Sequence, residues 1–259
     1  MLLGGDYYTL TWVDSRRPKV TYASSFGVSE IPASQVKKTK EYLSRFNMIS
    51  VREKQGAEIV EKLTGKKAEV CCDPTVLTDR KRWDELSGDC PFVSEKYIFC
   101  YFIGNNLTQR EFAKKLAQKT GCKILAVKHI DEYIKSDDDF GDIDYLEVGP
   151  KEFVNFIRYA TYVCTDSFHG TIFSIMYNKN FFTFKRFSDS QKSSMNSRVK
   201  NILSIVGLSN RLFEDSITPE AALAYQVDWS DVNKRLNDFR KSSREYFERA
   251  IKCLKGAQE

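Results

Sequence analysis

Short runs that are apolar at successive positions alternate with amphipathic helical stretches along most of this chain, and that alternation restricts the folds open to it. KYIFCYFI (96–103), KILAVKH (123–129), YVCT (162–165) and NFFTFK (180–185) do not show the every-second-residue pattern of a half-exposed strand. Strands of this kind are covered on both faces, as in a parallel sheet flanked by helices. The stretches between them, QREFAKKLAQKTG (109–121), KEFVNFIRYA (151–160) and HGTIFSIMYN (169–178), read as the crossover helices that parallel strands require.

The earlier part of the chain repeats the pattern in shorter form. KVTYASSFG (19–27), MISVRE (48–53) and AEVCCDP (68–74) read as strands, with helices over SQVKKTKEYLSRF (34–46) and KQGAEIVEKLTG (54–65). Gly65 and Gly121 stand where a helix ends in a left-handed residue. Thr108 and Glu111 form a capping-box pattern, with Leu107 and Phe112 spaced as a hydrophobic staple. Pro150 opens a helix at a position where proline is favoured. The stretch DEYIKSDDDFGDIDYLEV (131–148) reads as a polar loop, and its acidic core 137–144 as a solvated one. The expected organisation is a partial Rossmann-like domain over 1–90, a complete Rossmann-like domain over 91–227, and a closing helix within 228–259.

Several function classes are excluded. There is no G-x-x-x-x-G-K-[ST], G-x-G-x-x-G or G-x-S-x-G segment. The two histidines, His129 and His169, are far apart in sequence, so no metal site is expected. No run approaches the length of a membrane span, and MLLGGDYYTL lacks the regions of a signal peptide. The formal net charge of +5 is spread along the chain, which suits an anionic ligand better than nucleic acid. The seven cysteines are scattered and include no C-x-x-C pair, which points to reduced, packed thiols and a cytoplasmic setting.

Ligands of open α/β sheets bind at the carboxyl ends of strands. Here those ends carry Ser24, Ser25 and Gly27; Ser50 to Glu53; Lys128 and His129; Asp166 to Thr171; and Lys185 with Arg186. The segment TDSFHGTIFS (165–174) is the richest. A helix starting there presents unsatisfied amides near Gly170 and Thr171, which favour an anion. Gly170 would allow close backbone approach, and His169 would place an imidazole, suited to moving a proton near neutral pH, at the same edge. The competing reading is that Asp166 or Ser167 caps the helix and His169 closes the junction. Arg52 likewise reads either as the partner of Glu53 or another surface acid, or as a guanidinium for a carboxylate or phosphate. Phe168, Phe173, Phe181, Phe182 and Phe184 read as core.

Taken together these segments resemble the polysaccharide pyruvyl transferase family. KVTYASSFG is similar to its Y-A-A-S-F-G segment, ISVRE (49–53) to its S-x-R-E strand end, and CDPTVL (72–77) to its D-P-T turn, followed by Trp83. YIFCYFIG (97–104), 148–181 and NSRVKNILSIVGLSNR (196–211) follow in the family order, and D-S-F-H-G resembles a bacterial branch. The family's N-Y-G start and G-S-D-Q-x-W motif have no counterpart, so the resemblance implies an N-terminal truncation.

The resemblance implies a GT-B-like α/β fold, with a Rossmann-like C-terminal domain packed against an incomplete Rossmann-like N-terminal one. It implies transfer of a pyruvyl group from phosphoenolpyruvate to a sugar of a cell-surface or extracellular polysaccharide, with His169 catalytic. Arg52, Ser25, Ser167, Gly170, Thr171, Lys185 and Arg186 are the implied substrate contacts. Some members carry arginine where Ser167 stands here, and Lys185 or Arg186 would substitute for it. No cofactor is implied beyond phosphoenolpyruvate as donor. The implied partners are that donor and a glycan or lipid-linked sugar, with no nucleic acid. The implied location is the cytoplasm, at the inner face of the membrane beside membrane-bound glycan machinery. Two alternatives remain open at this point: a GT-B glycosyltransferase using a nucleotide-sugar, and a truncated non-catalytic remnant.

Overall fold

The apolar runs of the later part of the chain form one parallel sheet. A computed structural model describes residues 9–28, 30–129, 133–187, 196–214 and 216–256. Residue contacts divide the chain into two units, one of Met1–Leu77, Ser190–Asn201 and Asn237–Glu259, the other of Thr78–Asp189 and Ile202–Leu236. Among the described residues no helix is long and apolar enough to cross a membrane.

In the first unit, α1 (Ala33–Ser44), β1 (Ser50–Val51), α2 (Lys54–Thr64), β2 (Glu69–Val70) and α3 (Pro74–Leu77) follow in order. β1 and β2 pair in parallel. The strand expected over 19–27 is reduced to two bridges, Val20 to Met48 and Ser24 to Val51. The reason is local: Ala23 sits at φ 45°, in the left-handed region, and breaks the ladder. Side chains take over the missing bonds. Thr21 Oγ1 donates to the Ser50 carbonyl at 2.8 Å, and Ser50 Oγ accepts from the Ala23 amide at 2.9 Å. Gly65 ends α2 at φ 72°, as its position predicts.

The second unit contains α4 (Arg80–Ser87), β3 (Tyr97–Tyr101), α5 (Leu107–Thr120), β4 (Lys123–Val127), β5 (Ile143–Tyr145), α6 (Pro150–Tyr159), β6 (Tyr162–Thr165), α7 (Phe168–Met176) and β7 (Asn180–Phe184). α8 (Asn196–Ile205) leads from the first unit into it; β8 (Leu212–Phe213) and α9 (Pro219–Ala224) follow, and α10 (Trp229–Lys255) returns to the first unit. All six strands are parallel, in the order β5-β4-β3-β6-β7-β8. Burial explains the unbroken apolar runs: Tyr97, Ile98, Phe99 and Cys100 of β3 are all buried, as are Phe181, Phe182 and Phe184 of β7. Phe168 and Phe173 are core as well.

Three local expectations are corrected. α5 starts at Leu107, and its cap is Asn106, whose side chain accepts from the Thr108 amide at 3.0 Å. Leu107 is 61% exposed while Phe112 is buried, so the staple does not form. The acidic stretch is not uniformly a solvated loop. It contains β5, a short edge strand whose pattern of partial exposure gave little periodic signal, and Asp137 within it is buried.

Candidate functional site

The strand order reverses between β3 and β6: the chain leaves β3 toward β4 through α5, and leaves β6 toward β7 through α7. A ligand crevice forms at such a point because adjacent connections diverge to opposite faces. In this protein the two exits are tied together. The Asp166 carboxylate, just after β6, accepts from the amides of Ile103 at 2.7 Å and Gly104 at 2.8 Å, just after β3. Asp166 is only 4% exposed. Burial raises its pKa, while the two amide bonds and the nearby Arg186 and Arg110 charges oppose that rise.

The junction TDSFHG is organised around Ser167 and Thr165. Ser167 caps α7, its Oγ accepting from the Gly170 amide at 3.3 Å, and it is 3% exposed. Thr165 Oγ1 donates to the Tyr101 carbonyl at 2.6 Å and accepts from the Ser167 amide at 3.0 Å. Gly170 is required by this packing, since a Cβ there would lie 2.5 Å from Thr165 Oγ1. Thr171 is fully buried; its hydroxyl donates to the Ser167 carbonyl and meets Thr183 Oγ1 at 3.0 Å. Ser167, Gly170 and Thr171 therefore turn inward. From Val163 to Tyr177 every residue is buried except His169, which is exposed.

The second strand end that sequence reading singled out, Lys128–His129, lies on a cavity of about 420 Å³. Tyr101, Val127, Leu146, Val148 and Phe153 give it apolar walls, and Lys128, His129 and Arg186 also line it. The Asp144 carboxylate, 2.8 Å from Lys128 Nζ, raises the lysine's pKa. His129 is fixed between Asp137 Oδ2 at 2.6 Å and the Ile103 carbonyl at 3.1 Å. Behind it, Arg110 clasps Asp137 Oδ1 through Nε at 2.9 Å and Nη2 at 2.6 Å, and donates to the Gly104 and Asn106 carbonyls. The β3 exit loop is thus held by its amides from one side and its carbonyls from the other. The parts played by Asp166, Arg110 and Asp137 escaped sequence reading. The signal for Asp166 was its place at a strand end, but Arg110 and Asp137 lie in a helix and an acidic stretch that look surface-like.

Lys185 pairs with Glu214 at 2.6 Å, and its carbonyl accepts from Gln109. Arg186, beside it, lines the cavity, and its guanidinium lies 5.0 Å from the Phe187 ring centre. In the first unit, Arg52 forms an ion pair with Asp73 at 3.0 Å, rather than with Glu53. Glu53 instead accepts from Ser25 Oγ at 2.8 Å. Ser25 in turn accepts from the Gly27 amide at 3.2 Å.

The parallel sheets and their helices place the protein in the Rossmann-like, GT-B-like class of α/β folds. A protein of Listeria monocytogenes assigned as a UDP-N-acetylglucosamine 2-epimerase matches with a TM-score of 0.50 at 10% identity, over 84% of this chain and 60% of that one. The wall teichoic acid polymerase TagF matches with a TM-score of 0.45 at 13% identity, over 90% of this chain and 64% of that one. At such identities the likeness is one of fold alone. The present chain spans less than two thirds of the length of both. No curated protein matches the sequence. The family model for polysaccharide pyruvyl transferase matches residues 1–186, well over half of the chain, and the chain belongs to that family.

Proposed function

We propose that this chain serves a transferase that moves a pyruvyl group from phosphoenolpyruvate to a sugar of a cell-surface polysaccharide, with His169 as the proton-transfer group. The observation that carries the reading is the exposure of His169 in a junction that is otherwise buried from Val163 to Tyr177. An imidazole held at the first turn of a helix, at a strand's carboxyl end, has both the position and the chemistry for general acid–base work.

The reaction balances through that one group. His169 gives a proton to the donor's methylene carbon, and a sugar hydroxyl forms a bond to C2 and returns its proton to the imidazole. A second hydroxyl of the same sugar then bonds to C2 as the C2–O bond to phosphate breaks, and its proton leaves with the departing phosphate, giving a ketal and hydrogen phosphate. Ser167, where some members carry arginine, is a buried cap and offers no charge. Of the Lys185–Arg186 pair, Arg186 takes that part, because Lys185 is engaged by Glu214. A cytoplasmic setting at the inner membrane face, where glycan precursors are built, is part of the same proposal.

The test is incubation of the chain with phosphoenolpyruvate and a panel of glycans and lipid-linked sugars, reading phosphate release and ketal formation by NMR. Release with at least one acceptor, lost in His169→Ala, is expected; no release with any acceptor overturns the reading.

A further inference from the structure

The cavity at the ends of β3 and β4 is not used by the chemistry above, apart from its edge at Arg186. Its walls combine an apolar body with cationic ends. Tyr101 and Phe153 meet edge to face, with ring centres 5.1 Å apart, and form a rigid aromatic side. Val127, Val148 and the 56% exposed Leu146 add aliphatic surface to its lining. No carboxylate and no side-chain amide is among its lining residues, so it offers few side-chain acceptors for the hydroxyls of a neutral sugar. Its volume falls in the range of small-molecule sites. The three-carbon donor would leave most of it unfilled.

The fold adds a constraint. In doubly wound sheets of this strand order, a dinucleotide lays its phosphates on the amides of the first strand–helix turn. Here the turn after β3 is closed to a ligand, because Asp166 already takes the Ile103 and Gly104 amides. An anion in this cavity must be gripped by side chains, and the cations that line it are Arg186, from beyond β7, and Lys128, from just after β4, which shares its charge with Asp144 at 2.8 Å. His129 is held by Asp137 and the Ile103 carbonyl and serves as wall. The Tyr101 hydroxyl, its pKa raised chiefly by burial, stays protonated as a donor.

We infer that this cavity binds the nucleoside diphosphate end of an activated sugar, with the base against Tyr101 and Phe153 and the diphosphate between Lys128 and Arg186. The inference rests on the proposed function for its biological sense: the acceptor would be pyruvylated while still nucleotide-linked, before polymerisation. The class of reaction that consumes the product is then glycosyl transfer from a nucleotide.

The experiment is calorimetry on the full chain with UDP, CDP, ADP and GDP, with inorganic pyrophosphate, and with phosphoenolpyruvate. At least one nucleoside diphosphate is expected to bind with a Kd of about 10–100 μM, and pyrophosphate at least about tenfold more weakly because it cannot use the aromatic wall. Lys128→Ala should weaken nucleotide binding about five- to tenfold. Val148→Trp, which fills the cavity, should abolish it while leaving phosphoenolpyruvate binding intact. The inference is overturned if no nucleoside diphosphate binds at millimolar concentration, if pyrophosphate binds as well as the nucleotides, or if both variants bind like the wild type. Binding of phosphoenolpyruvate without any nucleotide sinks this inference and leaves the proposed function standing. The reverse result sinks the donor assignment and leaves the cavity assigned.

Discussion

The Asp166 carboxylate accepts a hydrogen bond from the Gly104 amide at 2.8 Å, and its other oxygen accepts from the neighbouring Ile103 amide. One side chain thereby joins the exits of two adjacent strands at the point where the sheet reverses its order. His169 follows three residues later, so its position depends on that joint.

Replacing Asp166 by Asn leaves an acceptor for only one of the two amides. The loss at neutral pH should be about 1–3 kcal/mol, read by urea denaturation. The pH dependence has a definite sign. Burial raises the folded pKa above the ordinary range of an aspartate, so the folded state holds this proton more tightly than the unfolded one. The group's ionisation therefore lowers stability as pH rises from the unfolded pKa through the folded one. Wild type minus Asp166→Asn stability should widen between pH about 7 and about 4; a flat difference would show that burial does not perturb this carboxyl.

His169→Ala should separate function from folding. Its side chain is exposed, so the melting stability should shift by no more than about 0.5 kcal/mol. The rate of phosphate release should fall about 10²- to 10⁴-fold. Equal turnover in the variant would show that His169 moves no proton.

Gly170→Ala puts a Cβ 2.5 Å from Thr165 Oγ1. That hydroxyl is already fixed by the Tyr101 carbonyl and the Ser167 amide, so it cannot yield without losing bonds. The expected loss is about 1–3 kcal/mol in chemical denaturation, and Thr165→Ala in the same chain should recover part of it.

Arg110→Met removes the guanidinium from Asp137, which is itself buried. Breaking a buried pair from one side costs about 3–5 kcal/mol. Asp137→Asn combined with Arg110→Met should be less destabilising than the single change, as read by thermal melting.

The thiols should react in an order set by burial. Cys90 is exposed and should label first with iodoacetamide. Cys71, its pKa pushed up to about 11 mainly by burial, and the fully buried Cys164 should label only on unfolding. Mass spectrometry of the native and denatured protein distinguishes these sites.

Legibility followed the range of the forces involved. β6 is 162–165 as read, and α10 begins within a residue of its expected start, because long apolar or periodic runs state their burial directly. The strand over 19–27 was misread because a single left-handed residue, Ala23, outweighs its β-rich composition. β5 was missed because three partly exposed residues at a sheet edge carry no periodic signal.

The sequence by itself determined the fold class, the family and the strand ends on which a site would form, since each depends on hydrophobic pattern and short motifs. Tertiary structure alone decided what stands at those ends. It turned Ser167 and Thr171 inward, left His169 outward, gave Arg52 to Asp73, and spent the first-turn amides on Asp166. Those choices rest on hydrogen bonds and ion pairs between residues as far as 63 positions apart. A buried polar group takes whichever partner the fold brings within 3 Å or so, and no local pattern records which one that is.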